Sequence, residues 1–551
     1  MTATARQEPR DRARPRAPWR PRLPVLLALL VGLAGVGYRL ALLLADAPPT
    51  NSDEATMGLA ALHIARGEEF PIWFYGQAYM GTLEAYLAAP LVALTGPSVL
   101  ALRLPTLALY ALFLALSWRL TRRLGGDPWF ALLVIGFLAL GSDRVVKNQL
   151  IAGGGYPEMN PAGVALALLT VALCANGAGR RLPRWAAWAL VSGLMLWVDP
   201  LLLPYILGTG TVLVVWRRRE LAGRAGLVVA GALLLGAAPM LVDSLRHGRN
   251  PLAAVLTASG GEATASWGER LYGGLVLGPP LGMGFCSPSH CATWQLWWAL
   301  AFPVLLLLAI LSAWRILRAA RGSTADFEAL PVARNGDGPR PGGAAVGDDQ
   351  RVSAAVRLAL LAGAAAVLAA YVVSSAAGRT PVESSRYLSC LAVAAPALLW
   401  PLWRAARRRS GVLRVVAPAV LAAILGTAAV ATVEAIRTVP ATHAEAERHR
   451  ALVDALVELG VRHVRGGYWT CNRLTYATGE NVVCAVVDDE LRPGFDRLPA
   501  YRRTVAAEPD AAWVAPVGSP LAARLDQRLG PEPGAFDVVT VANWRVYLPR
   551  P

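Results

Sequence analysis

The sequence is poor in charge, in histidine and in cysteine. Charged residues make up 16% of its 551 residues, where a soluble protein carries about 25%, which excludes a string of soluble domains. The six histidines show no metal-ligand spacing, which argues against a zinc site. There is no P-loop and no dinucleotide fingerprint, so ATP and nucleotide sugars are disfavoured as substrates.

Apolar residues are abundant and run in long stretches, with the charges gathered between them. Hydrophobic residues make up 55% of the chain, and the mean hydropathy is +0.43. With a spanning length of about 20 residues, the sequence predicts a polytopic α-helical membrane protein with about eleven spans. The candidate spans are 23–44, 102–120, 129–141, 161–176, 185–198, 201–216, 226–242, 294–314, 356–375, 387–403 and 412–433.

The net charge of +16 comes from arginine clusters in the connections between apolar runs. If the basic tail 1–22 is cytoplasmic, alternation of the spans places every later arginine cluster on the cytoplasmic side, as the positive-inside rule requires. The C-terminal segment then lies outside a plasma membrane, and the first apolar run is a retained anchor. We expect the basic residues to contact anionic membrane lipids and not nucleic acid, since no nucleic-acid-binding motif accompanies them.

Four segments lie outside the predicted spans. They are the first outside loop 45–101, a later outside loop 243–293, a cytoplasmic linker 322–350 and the C-terminal segment 434–551. The linker is rich in Gly, Pro and Ala, which is typical of disorder. The last segment has a polar helix followed by short β-branched runs, and it predicts an extracytoplasmic α/β domain.

Four of the six cysteines fall outside the spans, on the oxidising side. Cys286 and Cys291 lie in loop 243–293, whereas Cys471 and Cys484 lie in the C-terminal domain. Two such pairs suit disulfides.

An acidic pair, Asp53-Glu54, stands directly after the first span. Asn51 with Glu54 three residues later fits a capping box, and acidic residues favour a helix N-terminus. A purely structural role is therefore one interpretation of the pair. A catalytic role is the other.

The order of motifs in the first outside loop resembles the start of the family 39 glycosyltransferases, a GT-C type that includes protein O-mannosyltransferases and aminoarabinose transferases. After Asp53-Glu54, the motifs on which this resemblance rests are Phe74-Tyr75-Gly76-Gln77, Tyr79-Met80-Gly81, Leu83-Glu84-Ala85-Tyr86, Gly96-Pro97-Ser98, Leu102-Arg103-Leu104-Pro105 and Arg122-Arg123-Leu124-Gly125. The resemblance covers the first two hundred residues best and the C-terminal domain hardly at all.

The resemblance implies a GT-C fold and an inverting transfer from a polyprenyl-phosphate-sugar donor, with Asp53 as general base and Glu54 beside it. The chemistry suits a single base, because a polyprenyl phosphate leaves as a stable anion and needs only a cation. The acceptor would be an extracytoplasmic protein, glycan or lipid. No cofactor is firmly implied, and a divalent metal is compatible with the family. The candidates for substrate binding are Tyr75, Gln77, Tyr79, Glu84, Tyr156 and Asp199.

Candidates for the phosphate-binding cation follow from the predicted topology. Arg386 and Tyr387 stand at the outside mouth of the tenth span and resemble the family's lipid-phosphate site. An interfacial anchor is the alternative for this pair, because arginine and tyrosine both favour head-group level. Lys147, Arg103 and Arg379 are further candidates.

The second outside loop offers one more carboxylate. Its glycines 153–155 would let the backbone approach a substrate, and Glu158 would be a second acidic residue of the site. The alternative interpretation of this loop is a turn-rich connection. The alternative for Asp199 is that it only starts a turn. A transporter or flippase for a lipid-linked precursor, and a non-catalytic membrane scaffold, remain rival functions.

The topology is testable by cysteine labelling of intact cells. A membrane-impermeant thiol reagent should label Ser519→Cys and leave Ser323→Cys unlabelled until the cells are opened, because the arginine clusters otherwise face outward. Labelling in the reverse pattern would contradict the orientation.

Overall fold

The computed structural model describes residues 23–175, 181–250, 253, 264–328, 342–529 and 536–550; the predicted basic tail 1–22 lies outside these residues. A bundle of apolar helices extends to Arg437. It is followed by a smaller domain, Val439 to Pro549, which we call the C-terminal domain. The predicted fold class, a polytopic helical membrane protein with a C-terminal α/β domain, is confirmed.

Eight helical segments of the described chain are long and apolar enough to cross a membrane, and two bent helix pairs raise that number to ten. The eight are Leu23–Leu44, Val99–Arg123, Tyr156–Cys174, Pro200–Leu221, Thr293–Ala319, Asp348–Val373, Pro381–Ala406 and Leu413–Glu458. The bent pairs are Pro128–Ala139 with Asp143–Leu150, and Arg224–Gly236 with Ala238–His247. The remaining predicted span, 185–198, corresponds to the helix Leu182–Val198, which has only 17 residues.

Shorter elements connect these segments. The first outside loop carries two helices, Ser52–Arg66 and Leu83–Thr95. The loop between the seventh and eighth predicted spans forms Trp267–Leu271, the π-helix Tyr272–Leu277, Gly278–Gly282 and Thr293–Leu296, and it contains a disulfide between Cys286 and Cys291. The segment Pro381–Ala406 is built from Pro381–Ser384, Ser385–Ala394, Ala395–Leu398 and Trp400–Ala406, and Ser375–Arg379 precedes it.

The predicted disordered linker 322–350 is partly wrong. One helix runs from Trp297 to Glu328, and the next begins at Gly342 and ends at Val373, so both ends of the linker are helical. Alanine is the strongest helix former, and several alanines lie in these ends. The middle, 329–341, lies outside the described residues.

A buried arginine explains the 90° bend between Pro128–Ala139 and Asp143–Leu150. Arg39 donates through Nη1 to the Ala139 carbonyl at 2.9 Å and through Nε to Gln149 at 2.7 Å. Its guanidinium lies 3.8 Å from the centre of the Tyr110 ring. A helix that ends inside a membrane bundle leaves carbonyls without partners, and Arg39 supplies donors there.

The C-terminal domain begins with the helix Val439–Glu458 and is built on a five-stranded sheet. The strands are β1 His463–Gly466, β2 Val483–Val486, β3 Ala512–Pro516, β4 Phe536–Val541 and β5 Trp544–Pro549, in the order β2-β1-β3-β5-β4. β1 is parallel to β2 and β3, whereas β5 is antiparallel to β3 and β4. The helices Tyr468–Ala477, Pro499–Ala506 and Pro520–Leu529 connect them.

The helix Tyr468–Ala477 lies against the outside-loop helix Ser52–Arg66 and is joined to β2 by a disulfide between Cys471 and Cys484. Its Asn472 donates to the Thr56 hydroxyl at 2.7 Å. Gly58 permits this approach, because a side chain at that position would lie 2.6 Å from the Tyr476 ring. The two helices therefore hold the C-terminal domain directly on the first outside loop.

Candidate active site

Asp53 lies in the first turn of the helix Ser52–Arg66, with its side chain 28% exposed. The Tyr468 hydroxyl donates to Asp53 Oδ1 at 2.5 Å. Arg497 approaches the same oxygen, with Nη2 at 2.9 Å and Nε at 3.1 Å. Among the described residues, no hydrogen-bond donor reaches Asp53 Oδ2. The candidate base is thus held on one oxygen and open on the other.

Glu54 faces the opposite way, into the protein. Its two carboxylate oxygens accept from Arg103 Nε and Nη2, both at 2.6 Å, and Arg103 also donates to the Pro48 carbonyl at 2.8 Å. Both side chains are fully buried. Each charge is neutralised by the other. We therefore propose no catalytic role for Glu54 and no phosphate-binding role for Arg103.

Of the two hydrogen bonds that define the predicted capping box of Asn51 and Glu54, only one is present. Asn51 accepts a hydrogen bond from the Glu54 backbone amide at 2.9 Å, which satisfies one free N–H of the helix. The Glu54 carboxylate does not return to Asn51, because Arg103 binds it. The first turn is therefore fixed by a cap and by an ion pair, and Asp53 remains available to the site.

The glycines 153–155 bind a carboxylate of the protein itself. The amides of Gly153, Gly154 and Gly155 donate to Glu84 at 2.9, 3.4 and 3.2 Å. All three have positive φ (150°, 151° and 71°), which only glycine adopts readily. A Cβ on Gly153 would lie 3.6 Å from the Asp53 carbonyl carbon, so this loop packs against the turn that carries Asp53.

Glu84 and Glu158, both predicted site residues, form a buried pair under that loop. Each is less than 4% exposed, and their carboxyl groups face each other. Burial raises the pKa of Glu84, although hydrogen bonds from the three amides oppose that rise. The three glycine amides hold Glu84 in place, so Glu84 supports the loop that packs on Asp53.

Asp199 lies on the other side of the glycines. It is buried, caps the short helix Pro200–Leu202 by accepting from the Leu201 amide at 2.8 Å, and lies next to Gly155. Burial raises the pKa of Asp199 to about 7. The predicted turn role of Asp199 is present, and its carboxyl group also borders the candidate site.

Three basic residues, Arg386, Lys147 and Arg144, form a second part of the site, which we call the cationic wall. The Arg386 guanidinium lies 5.5 Å from the Tyr387 ring centre and 6.0 Å from that of Tyr156, and its Nε is buried without a hydrogen-bond partner among the described residues. Arg386 lies within electrostatic reach of Lys147 and of Arg144. Arg386, Arg144 and Lys147 form no ion pair within the described part of the chain, although an acidic group lies within electrostatic reach of each.

Tyr79 lies near both parts of the site. Its electrostatic neighbours are Tyr387, Arg386, Arg497 and Asp199, and burial raises the pKa of its hydroxyl. Arg386 also lies within electrostatic reach of Asp53. A cavity of about 230 Å³ reaches Arg144 and Lys147 from between Leu42 and Ala435. The arrangement places Asp53, with one carboxylate oxygen free of described donors, within electrostatic reach of Arg386.

Three predicted residues lie apart from this centre or contribute differently. The Tyr75 hydroxyl contacts His63 at 2.7 Å and Glu69 at 2.7 Å, whereas its carbonyl accepts from Arg497 at 3.2 Å. Gln77 Oε1 is buried and has no partner among the described residues. Arg379 lies within electrostatic reach of Glu269.

One donor cluster could in principle hold a metal ion: His63, Glu68 and Glu480. Ten residues of helix separate His63 from Asp53, roughly 15 Å. Arg66 already pairs with both carboxylates, and with His63 it holds the pKa of Glu480 at about 2. No cluster of metal ligands found among the described residues includes Asp53. Whether a divalent metal takes part in the reaction stays open, as in the sequence analysis.

Sequence reasoning missed Arg497 and Tyr468. They come from a domain that the resemblance hardly covers, 444 and 415 positions from Asp53. No motif surrounds either residue. Arg144 was also missed, although it is three positions from the predicted Lys147 and only the bend before Asp143 brings it to the cluster.

No protein-family model matches the sequence, and no curated protein does. Similar solved structures exist. ArnT from Cupriavidus metallidurans bound to undecaprenyl phosphate is 13% identical with a TM-score of 0.53, and its apo form is 15% identical with a TM-score of 0.52; each comparison covers 96% of this chain and 97% of that chain. An apo oligosaccharyltransferase from Archaeoglobus fulgidus is 11% identical with a TM-score of 0.44, covering 90% of this chain and 69% of that one. The fold is that of the GT-C membrane glycosyltransferases, as the sequence resemblance predicted.

The buried ion pair behind Asp53 can be tested by double substitution. Glu54→Leu or Arg103→Met alone should destabilise the protein by about 3–5 kcal/mol, because each leaves an uncompensated buried charge. The double variant should lose much less than the sum of the two. The measurement is the apparent free energy of unfolding in detergent. Additive losses would contradict the pairing.

Proposed function

We propose that this GT-C protein is an inverting glycosyltransferase that moves a sugar from a polyprenyl-phosphate donor to an extracytoplasmic acceptor, with Asp53 as general base. The observation that carries the proposal is that Asp53, with no donor on Oδ2 among the described residues, lies within electrostatic reach of Arg386, whose Nε has no hydrogen-bond partner there. A base and a phosphate-binding cation within one site are what such a transfer requires.

The donor phosphate would bind at the cationic wall. One of the similar structures, ArnT, was solved with undecaprenyl phosphate bound. In this chain Arg386, Lys147 and Arg144 supply the positive charge, and guanidinium groups recognise phosphate oxygens in pairs. Arg386 Nε has no partner among the described residues, so a phosphate oxygen would satisfy it. Tyr156 and Tyr387 would keep the guanidinium in place by stacking.

The reaction needs one base and no acid. The acceptor hydroxyl gives its proton to Asp53 while its oxygen bonds to the anomeric carbon. The bond from that carbon to the phosphate oxygen breaks, and the polyprenyl phosphate leaves with the electron pair. Cations beside the phosphate stabilise the charge that develops on it. A single displacement of this kind inverts the anomeric configuration.

The orientation of the chain is part of the proposal. With the N-terminus cytoplasmic, the arginine-rich connections face the cytoplasm, and Asp53 and the C-terminal domain face the outside of the plasma membrane. A lipid-linked donor suits that side, where nucleotide sugars are not supplied. The basic connections would contact lipid head groups.

The rival functions fit the geometry less well. A scaffold gives no reason for Asp53 and Arg386 to share a site, yet they lie within electrostatic reach. A transporter commonly breaks its helices at mid-membrane around the substrate. The 90° break here is filled by Arg39, and Arg386, Arg144 and Lys147 lie within electrostatic reach of one another.

Asp53→Asn should abolish transfer and spare the fold. Asparagine keeps the size and caps a helix about as well as aspartate, but it cannot accept the proton, so transfer should fall about 10²–10⁴-fold. The assay is sugar transfer in liposomes from undecaprenyl phosphate carrying mannose, glucose or arabinose to cell-envelope extract. Asp46→Asn is the matched control, since Asp46 also pairs with an arginine of the C-terminal domain, Arg450, at 3.0 Å. Near-normal transfer by Asp53→Asn would refute its role as base.

Arg386→Ala should weaken binding of undecaprenyl phosphate by about 10- to 100-fold, the effect of losing a charge-assisted hydrogen bond. Binding can be measured on the detergent-solubilised protein without knowledge of the sugar. Arg407→Ala serves as control because Arg407, near the other end of the same span, pairs with Asp127 at 2.5 Å. Equal affinities for Arg386→Ala and the unaltered protein would favour the interfacial-anchor interpretation.

A further inference from the structure

We propose that Arg497 and Tyr468 of the C-terminal domain are positioning residues that hold Asp53 by Oδ1, so that Oδ2 is the oxygen that takes the proton of the acceptor. This inference rests on the proposed function and assigns roles to two residues outside the resemblance. It makes the C-terminal domain a part of the active site.

The three donor atoms converge on one carboxylate oxygen. Tyr468 hydroxyl, Arg497 Nε and Arg497 Nη2 lie 2.5, 3.1 and 2.9 Å from Asp53 Oδ1. Arg497 Nε also donates to the Tyr468 hydroxyl at 2.5 Å. A carboxylate bound this way on one oxygen cannot rotate freely about its side-chain bonds. Because no described donor reaches Oδ2, that oxygen keeps its lone pairs for the acceptor.

Arg497 is itself rigidly held. Its guanidinium carbon lies 4.6 Å from the ring centre of Phe74, in the first outside loop, and 5.3 Å from that of Phe495, in its own domain. Nη1 donates to the Tyr75 carbonyl at 3.2 Å, and the side chain is 8% exposed. A planar guanidinium between two rings has few other orientations. Arg497 therefore transmits the position of the C-terminal domain to Asp53.

The backbone of the first turn is fixed from the same side. Ser52 donates through its hydroxyl to the Tyr468 carbonyl. Tyr468 thus holds both the backbone next to Asp53 and the Asp53 carboxylate. Precise placement matters because a displacement of about 1 Å in a reacting group can cost 10²-fold in rate.

In the step that this geometry serves, the acceptor O–H bond breaks and the proton moves to Asp53 Oδ2. The acceptor oxygen bonds to the anomeric carbon, and the phosphate departs with the electron pair of the broken carbon–oxygen bond. Arg497 and Tyr468 keep their protons throughout. They touch Asp53 and need not touch either substrate.

The test separates positioning from simple docking of the domain. Arg497→Gln should lower kcat about 10- to 100-fold and leave the KM for the lipid donor within about twofold, because the cationic wall is untouched. Arg497→Lys should recover part of kcat, since it restores a charged donor to Oδ1. Tyr468→Phe should lower kcat by a smaller factor, as it removes one donor and keeps the ring. The probes are the three undecaprenyl-phosphate sugars described above.

Glu480→Gln is the matched control. Glu480 joins the same two parts of the protein through His63, at 3.1 Å, and Arg66, but it lies at the far end of the helix from Asp53. It should lower the unfolding temperature with little change in kcat. Unchanged kcat in Arg497→Gln, or an equal loss of kcat in Glu480→Gln, would overturn the positioning role. Absence of transfer by the unaltered protein would instead overturn the proposed function.

Discussion

The candidate site depends on the buried ion pair between Glu54 and Arg103. It ties the first turn of the helix Ser52–Arg66 to the span Val99–Arg123, and both partners are fully enclosed. Removing two charges from water is costly, and the two hydrogen bonds at 2.6 Å with the further bond to Pro48 offset that cost. The turn that bears Asp53 is therefore attached to the membrane bundle at a fixed angle.

A second support comes from the opposite side of the same turn. The glycines 153–155 bind Glu84 through their amides and pack on the Asp53 backbone. A substitution of Glu84 would therefore displace Asp53 through this loop, without direct contact between the two side chains. Three parts of the protein thus hold this turn: the bundle through Arg103, the second outside loop through its glycines, and the C-terminal domain through Tyr468 and Arg497. The cationic wall is attached to other spans, and its distance from Asp53 is set by how these parts pack.

Hydropathy and resemblance predicted the fold class and singled out Asp53, but they could not distinguish the roles of adjacent residues. Consecutive helical side chains point about 100° apart, so Asp53 and Glu54 face different surroundings, and which of them is buried depends on what the helix packs against. The glycines 153–155 were predicted to let the backbone approach a substrate, and in the structure their amides bind Glu84. Arg39 shows the same limit, because an arginine inside an apolar run gives no sign of the bend 100 residues later that it stabilises.

The dependence of Asp53 on Arg497 has a consequence for biosynthesis. The two residues are separated by 444 positions, and ten of the eleven predicted membrane spans lie between them in the sequence. A ribosome delivers Asp53 first and Arg497 nearly last, so the carboxylate remains unheld until all the intervening helices have been inserted and the final domain has folded. Translation that stops anywhere before that point leaves a chain whose Asp53 lacks Arg497, so the site proposed for sugar transfer is complete only in the finished protein.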